Sequence, residues 1–329
     1  MRIAGAREGW MAEAARAIAS APASIGNVGV GFDVLGLAFD AVRDRVTAVR
    51  ETVPGVRLGT VSGLMMSLPD TPETNTALAA AKALLDATGA GFGVRLSIDK
   101  GVPMAAGMGG SAASAVAAAA AVNALLPEPL ATGALLPFAL EGERVSSDPP
   151  PWDNVAGALF GGLALVAREA PGHVHRLPVP AGLVSLLFHP PVKTETRAAR
   201  RILKGEVPMH IAVEHSRRLA AFVAGCATGD EALIRDGLED LLVEPQRAHL
   251  LPALAPVKAA ALGAGALGCS FSGSGPSVFA WAAARDADTV AAAMDAAFRA
   301  AGLLATAYRA PVESEGVRLE EPAGRLRAA

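Results

Sequence analysis

Two spacings of apolar residues alternate along this chain. In residues 91–99, Phe92, Val94, Leu96 and Ile98 alternate with small or polar neighbours, the period-two signature of a half-buried strand. Upstream, Thr71-Pro72-Glu73-Thr74 reads as a helix start, with an early proline and a carboxylate in the first turn, and helix formers follow over 77–87. Downstream, Gly107 leads into an uncharged, alanine-rich run that reaches Leu126, so a glycine loop is predicted between a strand and a helix. Residues 44–52, with Val46, Thr47 and Val49, form another β-rich run, and 162–167 and 183–188 are short apolar strands. Helices are predicted over 195–203, 213–224, 232–242 and 256–262.

Turn-forming residues divide the pattern. Residues 146–151 are a turn-rich break, and 171–180 read as a connection between two domains. The expected organisation is an N-terminal extension (1–16), a first domain (17–175), a second domain (176–311) and a mobile, charged tail (312–329). No internal repeat is evident. The uncharged stretch 101–127 has membrane-spanning length. Its apolarity is mostly alanine, Asn123 interrupts its end, and no aromatic or basic anchors flank it, so a soluble helix buried on most sides is the better reading.

Composition narrows the function. With 329 residues, the chain can bury a substantial core without disulfides or metals. A net charge of −3 and a pI near 6.1 give no basic field for nucleic acid or an anionic membrane. The two cysteines, Cys226 and Cys269, form neither a disulfide framework nor a zinc site, which fits a reducing cytoplasm. Residues 1–10 contain no apolar core of signal-peptide length, and Met11 is an alternative start.

The candidate chemistry lies in three glycine- and hydroxyl-rich segments: Asn27-Val28-Gly29-Val30-Gly31-Phe32-Asp33, Pro103 through Ala113, and Gly268 through Ser277. The middle one would present bare backbone N–H groups at a helix N-terminus, where the dipole favours an anion such as a nucleotide phosphate. It is not a Walker A loop, because no Gly-Lys-Ser/Thr closes it. Gly263-Ala264-Gly265-Ala266-Leu267-Gly268 formally matches a dinucleotide fingerprint, with Asp288 twenty residues on, but a helix precedes it where a strand is required. The six histidines include no zinc-hydrolase pair, and there is no Gly-x-Ser-x-Gly elbow.

Taken together, the segments resemble the superfamily of galactokinase, homoserine kinase, mevalonate kinase and phosphomevalonate kinase, the GHMP kinases. The family loop Pro-x-x-x-Gly-Leu-Gly-Ser-Ser-Ala is matched by Pro103 to Ala112, with Met108 for leucine and Gly110 for the first serine. The homoserine kinases are most similar, through Asp153-Asn154-Val155-Ala156 with Gly161-Gly162, the Thr196 to Leu203 helix and Glu244-Pro245-Gln246-Arg247. The chain departs from their pattern at Pro151, where histidine is common, and at Lys204, where proline is.

The resemblance implies an α+β, two-domain GHMP kinase fold: an N-terminal ribosomal-S5-like domain with a left-handed βαβ unit, and a C-terminal ferredoxin-like domain. It implies ATP-dependent phosphorylation of L-homoserine in threonine biosynthesis, by a cytoplasmic homodimer. The alternatives are another small-alcohol kinase of the superfamily, for mevalonate or a hydroxyamino acid, or a non-catalytic ligand sensor. By the same resemblance Arg200 and Arg247 take the acceptor carboxylate, Asp33 and Asn154 its amino group, Asn27 its hydroxyl, and Thr196 helps to orient it. ATP would lie on Pro103, Gly107, Met108, Gly109, Gly110, Ser111, Ala112 and Ala113, with Ser272, Gly273, Ser274 and Gly275 opposite, Asn75 beside the adenine and Lys100 nearby. Mg²⁺ would be held by Ser111 and Glu143, the latter eleven residues before Asn154, with Glu141 as its rival. Asp33 is either a binding group or a base, and binding is favoured.

Overall fold

The computed structural model describes residues 15–192 and 196–320, with side chains 196 and 197 also outside that description. The first half runs β1 (Arg16–Gly26), β2 (Leu35–Glu51), β3 (Gly55–Gly63), α1 (Thr76–Thr88), β4 (Gly93–Lys100), α2 (Gly110–Asn123), α3 (Leu136–Glu143), α4 (Trp152–Phe160), β5 (Leu163–Val166) and β6 (Val174–Leu177). The second half runs β7 (Leu183–His189), α5 (Thr196–Arg201), α6 (Met209–Thr228), α7 (Glu231–Gly237), α8 (Glu244–Arg247), α9 (Leu254–Gly263), β8 (Gly268–Phe271), β9 (Val278–Ala283), α10 (Ala287–Ala300), β10 (Thr306–Pro311) and β11 (Arg318–Glu320).

Two sheets result. The first has the order β11-β1-β2-β4-β3, with β5 pairing β2 and β6 pairing β5. Strands β3 and β4 pair in parallel across α1, a βαβ unit. The second has the order β10-β7-β9-β8, that of a βαββαβ ferredoxin-like domain with its helices between β7 and β8 and between β9 and β10.

Helix α2 explains how the first half closes. Its residues from Ala112 to Asn123 are all buried, and a helix that is apolar all round has to lie inside the protein. Alanine side chains let β1, β2, α1, α3 and α4 approach it closely. Asn123, predicted to interrupt it, is its last residue: the buried amide donates to the Leu130 carbonyl and accepts from the Leu130 N–H, at 2.9 and 2.8 Å. Among the described residues, no helix is long and apolar enough to cross a membrane.

Several expectations need correction. The tail is not simply mobile: Val312 is fully buried, and Arg318–Glu320 returns to the first sheet beside β1. Residues 174–177, expected within a connection, are β6, and β1 starts at Arg16, inside the predicted extension. Helix α7 stops at Gly237, short of the predicted 242. Strand β3 was not foreseen because it is a half-buried edge strand interrupted by Gly55, Gly59 and Gly63, and its apolar alternation, Val56 and Leu58, is too short to reveal it. Residues 1–14 and 321–329 lie outside the described residues.

Candidate active site

The three glycine segments meet. Ser24 N–H donates to the Met108 carbonyl (2.9 Å), Gly273 N–H to Gly26 (3.0 Å), and the Ser272 hydroxyl to Gly107 (2.6 Å). The middle loop follows β4 and enters α2 through Gly109 in the left-handed region, with no side chain capping the helix. A Cβ on Gly109 would run into Ser24 Oγ, and one on Gly107 into the carbonyls of Ser272 and Gly275. Glycine is therefore required at both positions, and the first residues of α2, Gly110 and Ser111, border an opening.

That opening is a cleft of about 350 Å³. Pro103, Gly107, Met108, Gly109, Gly110 and Ser111 line it, together with Asn75, Lys100, Glu143, Asn154, Gly273 and Ser274. Ala112, Ala113, Ser272 and Gly275 do not reach it. The two alanines are core residues of α2, Ser272 is fully buried beneath the loop, and Gly275 packs on Gly107. The predicted nucleotide residues thus divide into a lining and a support.

Two of the lining residues are already engaged. Asn75 is the N-cap of α1: its Oδ1 accepts from the Ala77 and Leu78 amides at 3.0 and 3.3 Å, while Nδ2 donates to the Pro69 carbonyl. Lys100 is buried, pairs with Asp44, and donates to the Gly110 carbonyl (3.0 Å) and Ser114 Oγ (2.9 Å). Asp44 also accepts from the Gly101 and Val102 amides. All three ammonium donors of Lys100 are taken by the protein, so it braces the loop from behind instead of reaching out as a free cation.

Glu143 ends α3 and is 1 % exposed. One oxygen, Oε2, accepts from Ser111 Oγ (3.0 Å) and Ser146 Oγ (3.3 Å), whereas Oε1 is buried with no hydrogen-bond partner among the described residues. Burial pushes its pKa up to about 7 despite these two hydroxyls. Its rival Glu141 is exposed and paired with Arg144. An unsatisfied buried carboxylate oxygen beside a serine at the mouth of an anion-binding loop fits a hard cation that bridges phosphates.

Beyond Asn154 and Gly273 a second cluster begins. Asn27 donates from Nδ2 to the Gly273 carbonyl (2.9 Å) and accepts the Asp33 N–H (3.2 Å), so its amide joins the first and third segments. Asp33 accepts both of its bonds from one nitrogen of Arg200, at 2.7 and 2.8 Å, and both side chains are about one-third exposed, at 33 % and 32 %. Arg247 is 3 % exposed and donates to two backbone carbonyls, Ala199 (3.1 Å) and Gly273 (3.2 Å). Among the described residues no carboxylate forms an ion pair with it, and burial, then the charge of Arg200, lower its pKa. Thr196 opens α5, but its side chain lies outside the described residues.

The chain matches the family models "GHMP kinases N terminal domain" over residues 75–162 and "GHMP kinases C terminal" over 221–300. It is 46 % identical to a homoserine kinase of Xylella fastidiosa, covering 92 % of this chain and 94 % of that one. It is a GHMP kinase. The crystal structure of a homoserine kinase from Cytophaga hutchinsonii superposes with a TM-score of 0.90 at 38 % identity, over 94 % of this chain and 99 % of that one. The fold extends further: L. major mevalonate kinase superposes with a TM-score of 0.65 at 16 % identity, over 91 % and 96 % of the two chains.

In this GHMP kinase, sequence reasoning overlooked the residues that hold the others in place. Asp153 is 1 % exposed and accepts the Asn27 N–H (2.8 Å) on one oxygen and the Asn154 N–H (2.8 Å) on the other. Burial, reinforced by the negative charge of Asp33, raises its pKa to about 6. Ser24 donates to Asn154 Oδ1 (2.9 Å), and Asp44 anchors Lys100. Asp153 sat inside a motif already quoted. Asp44 stood at the start of a predicted strand, where a charged residue reads as solvent-facing, and no sequence signal marked it as buried within the longer β2.

Proposed function

We propose that this GHMP kinase transfers the γ-phosphoryl group of ATP to the hydroxyl of L-homoserine, giving O-phospho-L-homoserine and ADP, a step toward threonine. The observation that carries the reading is Arg247: a buried guanidinium whose hydrogen bonds, among the described residues, go to backbone carbonyls and whose fork forms no ion pair there, set beside Asp33 and one glycine away from the phosphate cleft. A buried cation without a counter-ion is costly, and the planar fork of arginine suits a carboxylate.

The cluster also carries a charge of each sign. A zwitterionic acceptor offers a carboxylate to Arg247 and Arg200 and an ammonium to Asp33, so the Arg200–Asp33 pair of the ligand-free protein exchanges partners on binding. Mevalonate, the acceptor of the nearest rival, has no ammonium to take the place of Arg200 on Asp33. Asn154, which lines the cleft and is held by Ser24 and Asp153, would join Asp33 in taking the acceptor's amino group, with Asn27 taking its hydroxyl.

Moving a phosphoryl group is chiefly a matter of alignment and charge neutralisation. The loop amides at the N-terminus of α2 receive the phosphates, and Gly107 and Gly109 keep side chains out of their way. Ser111 and Glu143 would hold Mg²⁺, which when bound neutralises charge on the transferring oxygens. Asp33 serves as a binding group, since its carboxylate is committed to a cation in either state. A homodimer in the cytoplasm is carried over from the same family resemblance.

A coupled ADP-release assay with homoserine, threonine, serine, mevalonate and shikimate tests the reading. Homoserine should give the highest kcat/KM. ADP release independent of homoserine, or a preference for mevalonate, would overturn it.

A further inference from the structure

The two arginines of the acceptor cluster share a third residue that has no polar group. The Arg200 guanidinium carbon lies 5.5 Å from the centroid of the Phe32 ring, and that of Arg247 lies 5.6 Å from it. The ring is half-buried, in the first glycine segment and next to Asp33. The two cations come from different helices, α5 and α8, and Arg200 is one cause of the lowered pKa of Arg247, so they repel. We propose that Phe32 is a positioning residue for acceptor binding, its ring holding both guanidinium groups side by side while leaving them free for the acceptor carboxylate.

The choice of an aromatic ring has a physical reason. A carboxylate at position 32 would attract both arginines but would also fill their N–H donors, in competition with the substrate. A ring face attracts a cation through its quadrupole and accepts no in-plane hydrogen bond. The N–H groups of each fork therefore remain directed elsewhere, as two carbonyls and Asp33 already demonstrate. An aliphatic side chain of similar volume fills the space and supplies no such attraction, so the repulsion between the arginines is no longer opposed at that point.

This inference rests on the proposed acceptor reading, and the test separates the two. Steady-state kinetics are measured for the full chain, Phe32→Leu and Phe32→Tyr, varying homoserine and ATP in turn. Phe32→Leu should raise the homoserine KM about tenfold, the factor expected from two weakened cation–ring contacts. Its ATP KM should change less than about twofold, and Phe32→Tyr, which keeps the ring, should restore the homoserine KM to near that of the parent. If the parent uses homoserine and Phe32→Leu leaves its KM unchanged, the positioning role is wrong. Equal rises in both KM values, or no recovery in Phe32→Tyr, would show a general packing defect and overturn it as well. A parent that turns over ATP with another acceptor but not with homoserine would overturn the acceptor reading and this inference together.

Discussion

Replacing Glu143 with glutamine should make the ligand-free protein more stable and the enzyme worse. Burial raises the carboxyl from 4.5 to about 7, so the folded state binds this proton more tightly than the unfolded chain does. The sign is the reverse of that for a salt-bridged acid: folding is unpenalised below pH 4.5, and the cost grows as pH rises from there to 7 and then stays constant. At roughly 1.4 kcal/mol per tenfold change in proton affinity, a carboxyl raised from 4.5 to about 7 costs about 3 kcal/mol at pH 8, against less than about 1 kcal/mol at pH 5. Glutamine keeps an acceptor for Ser111 and Ser146 and carries no charge to desolvate. Thermal unfolding without nucleotide should therefore show Glu143→Gln raised by about 4–5 °C at pH 8, with little difference at pH 5. Activity with Mg-ATP should fall, and Mg-ATP should stabilise the variant much less than it stabilises the parent. A variant that is less stable at pH 8, equally shifted at both pH values, or fully active would refute the reasoning, and full activity would direct attention back to Glu141.

Three further substitutions probe the remaining parts. Arg247→Ala should raise the homoserine KM roughly 30- to 100-fold, the worth of charge-assisted bonds to a carboxylate, with the ATP KM little changed; equal losses for both substrates would contradict the carboxylate role. Gly109→Ala, which puts a side chain into a left-handed position and against Ser24 Oγ, should lower kcat/KM for ATP on the order of 100-fold by displacing the loop, and a normal value would mean the loop is not held as described. Lys100→Met leaves Asp44 buried and without its cation, so denaturant unfolding should show a loss of about 3–5 kcal/mol; unchanged stability with a raised ATP KM alone would make Lys100 a nucleotide ligand instead of a brace.

Much of the fold was legible because strong local patterns coincide with real elements. The alternation over 91–99 became β4, the alanine run became α2, and 183–188 became β7. The missed elements are weakly marked. Strands β3, β6 and β11 are short or exposed, and the partners of β3 and β11 lie far away in sequence, so little local pattern reveals them. In the site, the charged and glycine residues that the fold gathers around the cleft were legible as a group, because a phosphate and a zwitterion demand particular chemistry. Their division of labour was not legible, since a cap such as Asn75 and a brace such as Lys100 use the same donors that a ligand would.

The sequence by itself determined the kind of chemistry: a loop of bare amides without a Walker lysine, and, through its resemblance to the homoserine kinases, two arginines for an acceptor carboxylate. Tertiary structure decided which atoms remain available. Only folding takes Lys100 out of service by burying it against Asp44, leaves Glu143 Oε1 without a partner, and brings Arg200 and Arg247 from separate helices to one phenylalanine. The reason is that hydrogen bonds and burial depend on residues distant in the chain, and a side chain's chemistry is set by what its neighbours have already satisfied.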